Sequence, residues 1–310
     1  MYRRLLWNAF EEGEKMSKIK IFALGGLNEN GKNMYVVEVD ENIFVFDAGL
    51  KYPTTNMLGV DYIIPKFDYL IKNKDKVRGL FLSHGHEGNM GAVPDILKEI
   101  PGLPVYATKF TMRLLKEELE RQKIKATNLK EIRPHSKLDI KGFAIFPITV
   151  THSMPETTAY VLYTENGAIV YATDFVFDST MLGAYKTDIG KLAYVGKQGV
   201  LCLLQESEYA YREGHTSPKH RISKAVWDVL NETDNRIIIS VFPTHVYRLQ
   251  EIFDQIKRKR RKVVLLGKKL QDIVNYSIEE GYLNIDKDSI GDLSNINDTD
   301  IVVIVGEAKE

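Results

Sequence analysis

Apolar and polar residues alternate from residue 18 onward. Residues 18–24 read Lys-Ile-Lys-Ile-Phe-Ala-Leu, a strand that stops at the turn Gly25-Gly26. Residues 34–39 and 43–46 predict two more strands, joined by the turn-formers Asp40, Glu41 and Asn42. Residues 68–74 predict a short helix. Residues 79–83 predict a buried strand that stops at a pair of histidines, and a helix over 92–100 follows. Residues 110–123 carry charges on one helical face and apolar groups on the other. Residues 143–150 form a strand leading to His152. Residues 159–163 and 168–172 form a hairpin around Glu165-Asn166-Gly167 that ends just before Asp174. Residues 199–204 predict a further strand, with Cys202 expected in the core. Short strands interleaved with helices in this order predict an αββα sandwich.

Near residue 212 the pattern changes. Helices over 217–231, 248–258 and 270–280 alternate with strands over 236–242, 262–267 and 301–305, as in a parallel sheet. The sequence thus divides into an extension at 1–16, a first domain at 17–212 and a second at 213–310.

Composition narrows the function classes. The 310 residues are 44% hydrophobic and 27% charged, with a formal net charge of zero. There is no global basic field to attract nucleic acid, so any such surface must be local. One cysteine allows no internal disulfide, which fits a reducing cytoplasm. No apolar run reaches the roughly 18 residues a bilayer span requires. The first fifteen residues look superficially like a signal peptide, but the apolar part is short and runs into acids. The expectation is that translation starts at Met16.

Chemistry gathers at strand ends. His84 and His86 stand two apart after one strand, so their side chains point the same way. His152 follows a second strand and Asp174 a third. Three imidazoles and a carboxylate suit a four-coordinate divalent metal, with zinc as the first choice and Mn2+ or Mg2+ as substitutes. A single histidine after a strand is ordinarily a capping or surface residue; the repeated context favours a metal.

The order Asp47, His84-Gly85-His86, His152, Asp174 resembles the metallo-β-lactamase superfamily. Residues 44–53 (Phe-Val-Phe-Asp-Ala-Gly-Leu-Lys-Tyr-Pro), the Gly25-Gly26 and Gly31-Lys32-Asn33-Met34 segments, and Thr151-His152-Ser153-Met154-Pro155 resemble the ribonuclease J family in particular. Gln205-Glu206-Ser207-Glu208-Tyr209 is similar to the first acidic motif of the β-CASP branch, and residues 242–250 to the start of its inserted domain. The resemblance implies a metallo-β-lactamase αββα sandwich followed by a partial β-CASP α/β domain. It implies metal-dependent hydrolysis of RNA, from the 5′ end and internally, in bacterial RNA decay and maturation. It also implies RNA as partner, and assembly with itself or with a paralogous ribonuclease.

Two departures qualify what is implied. The family pattern is His-x-His-x-Asp-His, and here Gly88 and Asn89 stand in the last two places. Those places serve the second metal, so one metal site is expected intact and the other degenerate. Glu87 is expected to point elsewhere and not to replace the missing Asp. The family's chains are also longer, so this sequence reads as stopping before the inserted domain returns to the first. Asp47 is expected to orient the metal loop through hydrogen bonds, as carboxylates behind metal ligands do.

The run Lys257-Arg258-Lys259-Arg260-Arg261-Lys262 reads first as a solvated helix end. Lys257, Arg258, Arg260 and Arg261 are also candidates for RNA-phosphate contact. Thr216 or Ser217 is expected to cap a helix, and His135 and His245 to be structural or surface histidines. Three functions fit: an active ribonuclease, a catalytically weakened RNA-binding paralogue that supports a full-strength nuclease, or another hydrolase of the lactamase fold. Glu206 and the alternating βα pattern argue against the third.

Overall fold

The computed structural model describes residues 16–178, 180–181, 183–208, 210–214, 222–295 and 301–306. The expected extension before Met16, the expected caps Thr216 and Ser217, and Tyr209 lie outside the described residues. By internal contacts the chain forms two compact units. One comprises residues 1–148, 158–173 and 188–205, the other 149–157, 174–187 and 206–310.

The first unit holds two sheets. Strands β1 (Ile19–Gly25), β2 (Met34–Val39), β3 (Asn42–Phe46), β4 (Val77–Phe81), β5 (Val105–Thr108) and β6 (Leu129–Ile132) form six neighbours in sequence order. The first three are antiparallel and the rest parallel. Helix α1 (Asp68–Lys72) precedes β4. Helices α2 (Glu87–Met90) and α3 (Val93–Glu99) follow it, and α4 (Lys109–Arg121) packs on β5 and β6. The second sheet has the order β11-β10-β9-β8-β7, with β7 (Leu138–Ile140), β8 (Phe143–Thr149), β9 (Thr158–Thr164), β10 (Gly167–Ala172) and β11 (Val200–Gln205). Helix α5 (Ile189–Gln198) carries the chain across to β11, which lies parallel to β10.

The sheets are joined by aromatic and branched side chains. Phe44, Phe46, Phe81 and Tyr106 from the six-stranded sheet share one core cluster with Tyr160, Leu162, Ile169 and Tyr171 from the five-stranded sheet. Phe46 stacks on Tyr171 with centroids 5.3 Å apart, and Phe81 on Tyr106 at 4.8 Å. Such pairs add about 0.5–1.5 kcal/mol each beyond area burial. This is the sandwich that the sequence predicts, of mixed α/β class.

Cys202 departs from the expectation of a core position. It lies on edge strand β11 and is only partly buried. Cys202 and Leu204 pack on the core cluster, while Leu201 and Leu203 on the opposite face are about half exposed. A parallel edge strand with one covered face explains the difference. The continuous apolar run had suggested cover on both faces.

In the second unit, helices α6 (Ser223–Glu232), α7 (Val246–Arg258) and α8 (Lys268–Glu279) alternate with β12 (Ile237–Ser240), β13 (Lys262–Leu266) and β14 (Ile301–Val305). The strands make one parallel sheet of order β12-β14-β13. Among the described residues, no helix is long and apolar enough to cross a membrane.

Candidate metal centre

Strand β4 runs into the sandwich, and Leu82, Ser83 and His84 beyond it are fully buried. Tyr160 from β9 pins this segment by donating to the Leu82 carbonyl at 2.8 Å, and Thr158 N–H donates to the Ser83 carbonyl at 3.0 Å. His86 is extended, with φ −70° and ψ 147°, immediately before α2. The two imidazoles meet edge to face, and Nε2 of His84 lies 2.9 Å from Nδ1 of His86.

Behind them sits Asp47, fully buried after β3 with a φ of 58°. This is left-handed backbone, which aspartate tolerates better than bulkier residues do. Its carboxylate accepts from Ser83 N–H and Ser83 Oγ, both at 2.7 Å, and from Asn89 Nδ2 and the Tyr171 hydroxyl, both at 2.8 Å. Burial pushes the Asp47 pKa up to about 6, while the hydrogen bonds oppose the rise.

Asn89, 2% exposed, turns its amide toward this carboxylate and toward Thr173 Oγ1 at 3.3 Å. Gly88 is packed tightly. A Cβ on it would meet Gly31 Cα at 3.2 Å, and a Cβ on Gly49 would lie 1.6 Å from the Gly88 carbonyl oxygen. The 87–89 backbone is stitched to the loop after Asp47. Ala48 N–H donates to Asn89 O at 2.7 Å and Leu50 N–H to Glu87 O at 2.8 Å. Glu87 itself accepts from the Tyr52 hydroxyl at 2.6 Å.

His152 lies in the loop between β8 and β9, which Val150 N–H closes by donating to Thr157 O at 2.9 Å. Thr151 anchors the loop through a bridge to Val176 and a 2.8 Å bond from its N–H to Thr187 Oγ1. Burial, followed by the neighbouring His245, pushes the His152 pKa down to about 4, so the ring is neutral with a lone pair to offer. Ligand-capable atoms of His84, His86 and His152 all lie within 4.8 Å of one another. Three imidazoles at that spacing fit a divalent cation.

Asp174 is not in that group. Its carboxyl pairs with Glu206, whose pKa is raised to about 7 by burial and by the Asp174 charge. His245, expected as a structural or surface histidine, is half-buried beside His152, and burial pushes its own pKa down to about 4. Its only sequence signal was its place at the start of a helix in the Phe242–Gln250 motif.

The basic run does several jobs. Helix α7 ends at Arg258, whose guanidinium lies 4.1 Å from the Trp227 ring centroid. Arg260 takes a left-handed φ of 56°, and Arg261 donates to the carbonyls of Asn235 at 2.6 Å and Ile301 at 3.0 Å. Lys257 and Arg260 remain on the surface.

The comparisons agree with this architecture. Residues 44–223, more than half of the chain, match the model of the beta-lactamase superfamily domain. Residues 234–308 match that of the ribonuclease J beta-CASP domain. The chain belongs to the beta-lactamase superfamily, and its second part is similar to the ribonuclease J beta-CASP domain. Similar curated proteins are the ribonucleases J 2 of Staphylococcus saprophyticus and of Staphylococcus aureus NCTC 8325, each 35% identical over 295 residues. The match covers 94% of this chain and 53% of each relative, so the chain spans about half the length of the curated relatives it matches. A crystal structure of a protein of unknown function from Enterococcus faecalis V583 shares the fold. Its TM-score is 0.65 at 15% identity, covering 94% of this chain and 78% of that one.

Proposed function

We propose that this chain is an RNA phosphodiester hydrolase that works with one divalent metal. His84, His86 and His152 hold the metal; Asp174, which lies outside the histidine group in this structure, is the carboxylate that would complete the set. The observation that carries this reading is the gathering of three imidazoles from two strand ends in a chain whose second part is similar to the ribonuclease J beta-CASP domain. Zinc suits three nitrogens and one oxygen; Mn2+ or Mg2+ are the substitutes. When bound, the metal supplies a Lewis acid for a phosphoryl oxygen and lowers the pKa of a water. The chain's own residues do the rest. His152 is neutral at pH 7 and presents a lone pair, Asp47 fixes the His84 segment, and Glu206 pairs with the Asp174 carboxyl. Lys257, Arg258 and Arg260 offer charge to the RNA backbone. The reaction belongs to the cytoplasm, and the division into a lactamase part at 17–212 and a β-CASP part at 213–310 follows the same reading.

One observation favours a second reading, in which the chain binds RNA and supports an active paralogue as a hetero-oligomer. Asn89 donates its amide NH2 to Asp47 and Gly88 has no side chain, so neither offers the imidazole or carboxylate that a second metal would take. The test is turnover of 5′-labelled RNA by the wild-type protein, by His84→Ala and by the Gly88→Asp, Asn89→His double variant. Turnover lost in His84→Ala supports the single-metal enzyme. An inactive wild-type protein that still binds RNA supports the second reading. Inactivity and absent RNA binding in all three, repaired variant included, contradict both.

A further inference from the structure

Ser83 Oγ stands between two groups that make different demands on it. Asp47 Oδ2 lies 2.7 Å on one side and His84 Nδ1 2.9 Å on the other. A serine hydroxyl has one hydrogen to give. An ionised carboxylate can only accept, and Oδ2 already receives Asn89 and Tyr171. The Ser83 hydrogen therefore points at Asp47, and the oxygen presents its lone pair to His84. Only an Nδ1–H can meet it. When the His84 ring is neutral, its one proton then resides on Nδ1, and Nε2 carries the lone pair, turned toward His86 Nδ1. Asp47, Ser83 and His84 are all fully buried, so no bulk water competes for these bonds.

We propose that Ser83 is a positioning residue that fixes His84 as the Nδ1–H tautomer, so that Nε2 faces the metal. The inference rests on the metal reading above. The opposite tautomer would put a hydrogen where the cation must sit. The path runs from Asn89 and Tyr171 through Asp47 and Ser83 to the ring, and it gives Asn89 a task that does not involve a second metal. A hydroxyl at residue 83 is the requirement. Alanine removes it with little change in volume, and threonine keeps it.

The test uses 15N-labelled, metal-free protein at about pH 7.5, above the Asp47 pKa. Two-bond proton–nitrogen correlation spectra of the imidazoles report which nitrogen of His84 bears the hydrogen. The wild-type protein is expected to show Nδ1–H. Ser83→Ala is expected to lose that preference and to bind zinc about 10–100-fold more weakly in chelator competition. Ser83→Thr is expected to restore both. An Nε2–H ring in a wild-type protein that binds zinc overturns the role of Ser83 alone. So does a Ser83→Ala variant with unchanged tautomer and unchanged zinc affinity. Absence of zinc binding by the wild-type protein overturns the metal reading and, with it, the purpose assigned to the tautomer. The wild-type spectrum decides the tautomer even where the alanine variant fails to fold.

Discussion

Asn89 donates its side-chain amide to Asp47 Oδ2 at 2.8 Å, with both residues buried. The residue that stands where the resemblance implied a histidine is therefore a hydrogen-bond donor to the carboxylate behind His84. Asn89→Ala removes one of four donors from a buried carboxylate. A loss of about 1–3 kcal/mol in urea unfolding at neutral pH is expected. Asn89→Asp places two carboxyls against each other and is expected to cost more at neutral pH, with the deficit shrinking on acidification. Equal stability of the aspartate variant at both ends of the pH range would refute the contact.

Asp47 gives the fold a specific pH dependence. Its folded pKa of about 6 lies above the ordinary 3.8. The folded state therefore binds the proton more tightly than the unfolded state does. The stabilisation is fully present below pH 3.8 and is lost as pH rises through 6. That difference corresponds to about 3 kcal/mol. Asp47→Asn cannot titrate. In metal-free protein, the stability of the wild type relative to Asp47→Asn is expected to rise as pH falls from 7 to 4. A flat difference across that range would show that Asp47 is not the titrating group.

The loop stitching leaves no room at Gly49. A Cβ there would lie 1.6 Å from Gly88 O and 2.1 Å from Gly88 C, both backbone atoms that cannot swing aside. Gly49→Ala is expected to unfold the site or the domain, seen as loss of the cooperative thermal transition. Gly88→Asp meets Gly31 Cα at 3.2 Å and is expected to fold with a modest penalty. The contrast between the two glycines is readable in a single thermal melt of each variant.

Much of this was legible in the sequence. Short apolar or alternating runs bounded by turn residues predicted β1 to β4 and the β9–β10 hairpin, and the alternating βα pattern predicted the three-stranded parallel sheet. Strands β5, β6 and β7 were missed because they are three or four residues long, and β6 carries Lys130 and Glu131 outward. Helix α5 was hidden by Gly190 and Gly196, which weaken a helical reading. The histidines were legible because each follows a strand. The hydrogen bonds that turn Asn89 toward Asp47, and the pairing of Asp174 with Glu206, join residues far apart in sequence and leave no local trace.

The basic run separates into two kinds of residue. Lys257 and Arg260 are exposed, and the double alanine variant is expected to flatten the dependence of log affinity for single-stranded RNA on log salt by about 1.4. Arg261 holds two carbonyls across the sheet. Arg261→Ala is expected to lower stability, by about 1–3 kcal/mol, and to leave the salt slope unchanged. Filter binding across a salt series, with urea unfolding alongside, checks both.

Metal stoichiometry separates a one-metal site from a two-metal site. The purified protein, dialysed against trace zinc and measured by plasma mass spectrometry, is predicted to carry one metal per chain. His84→Ala and His152→Ala are each predicted to carry essentially none. Two metals per chain in the wild-type protein, or one that survives loss of both histidines, would contradict the account.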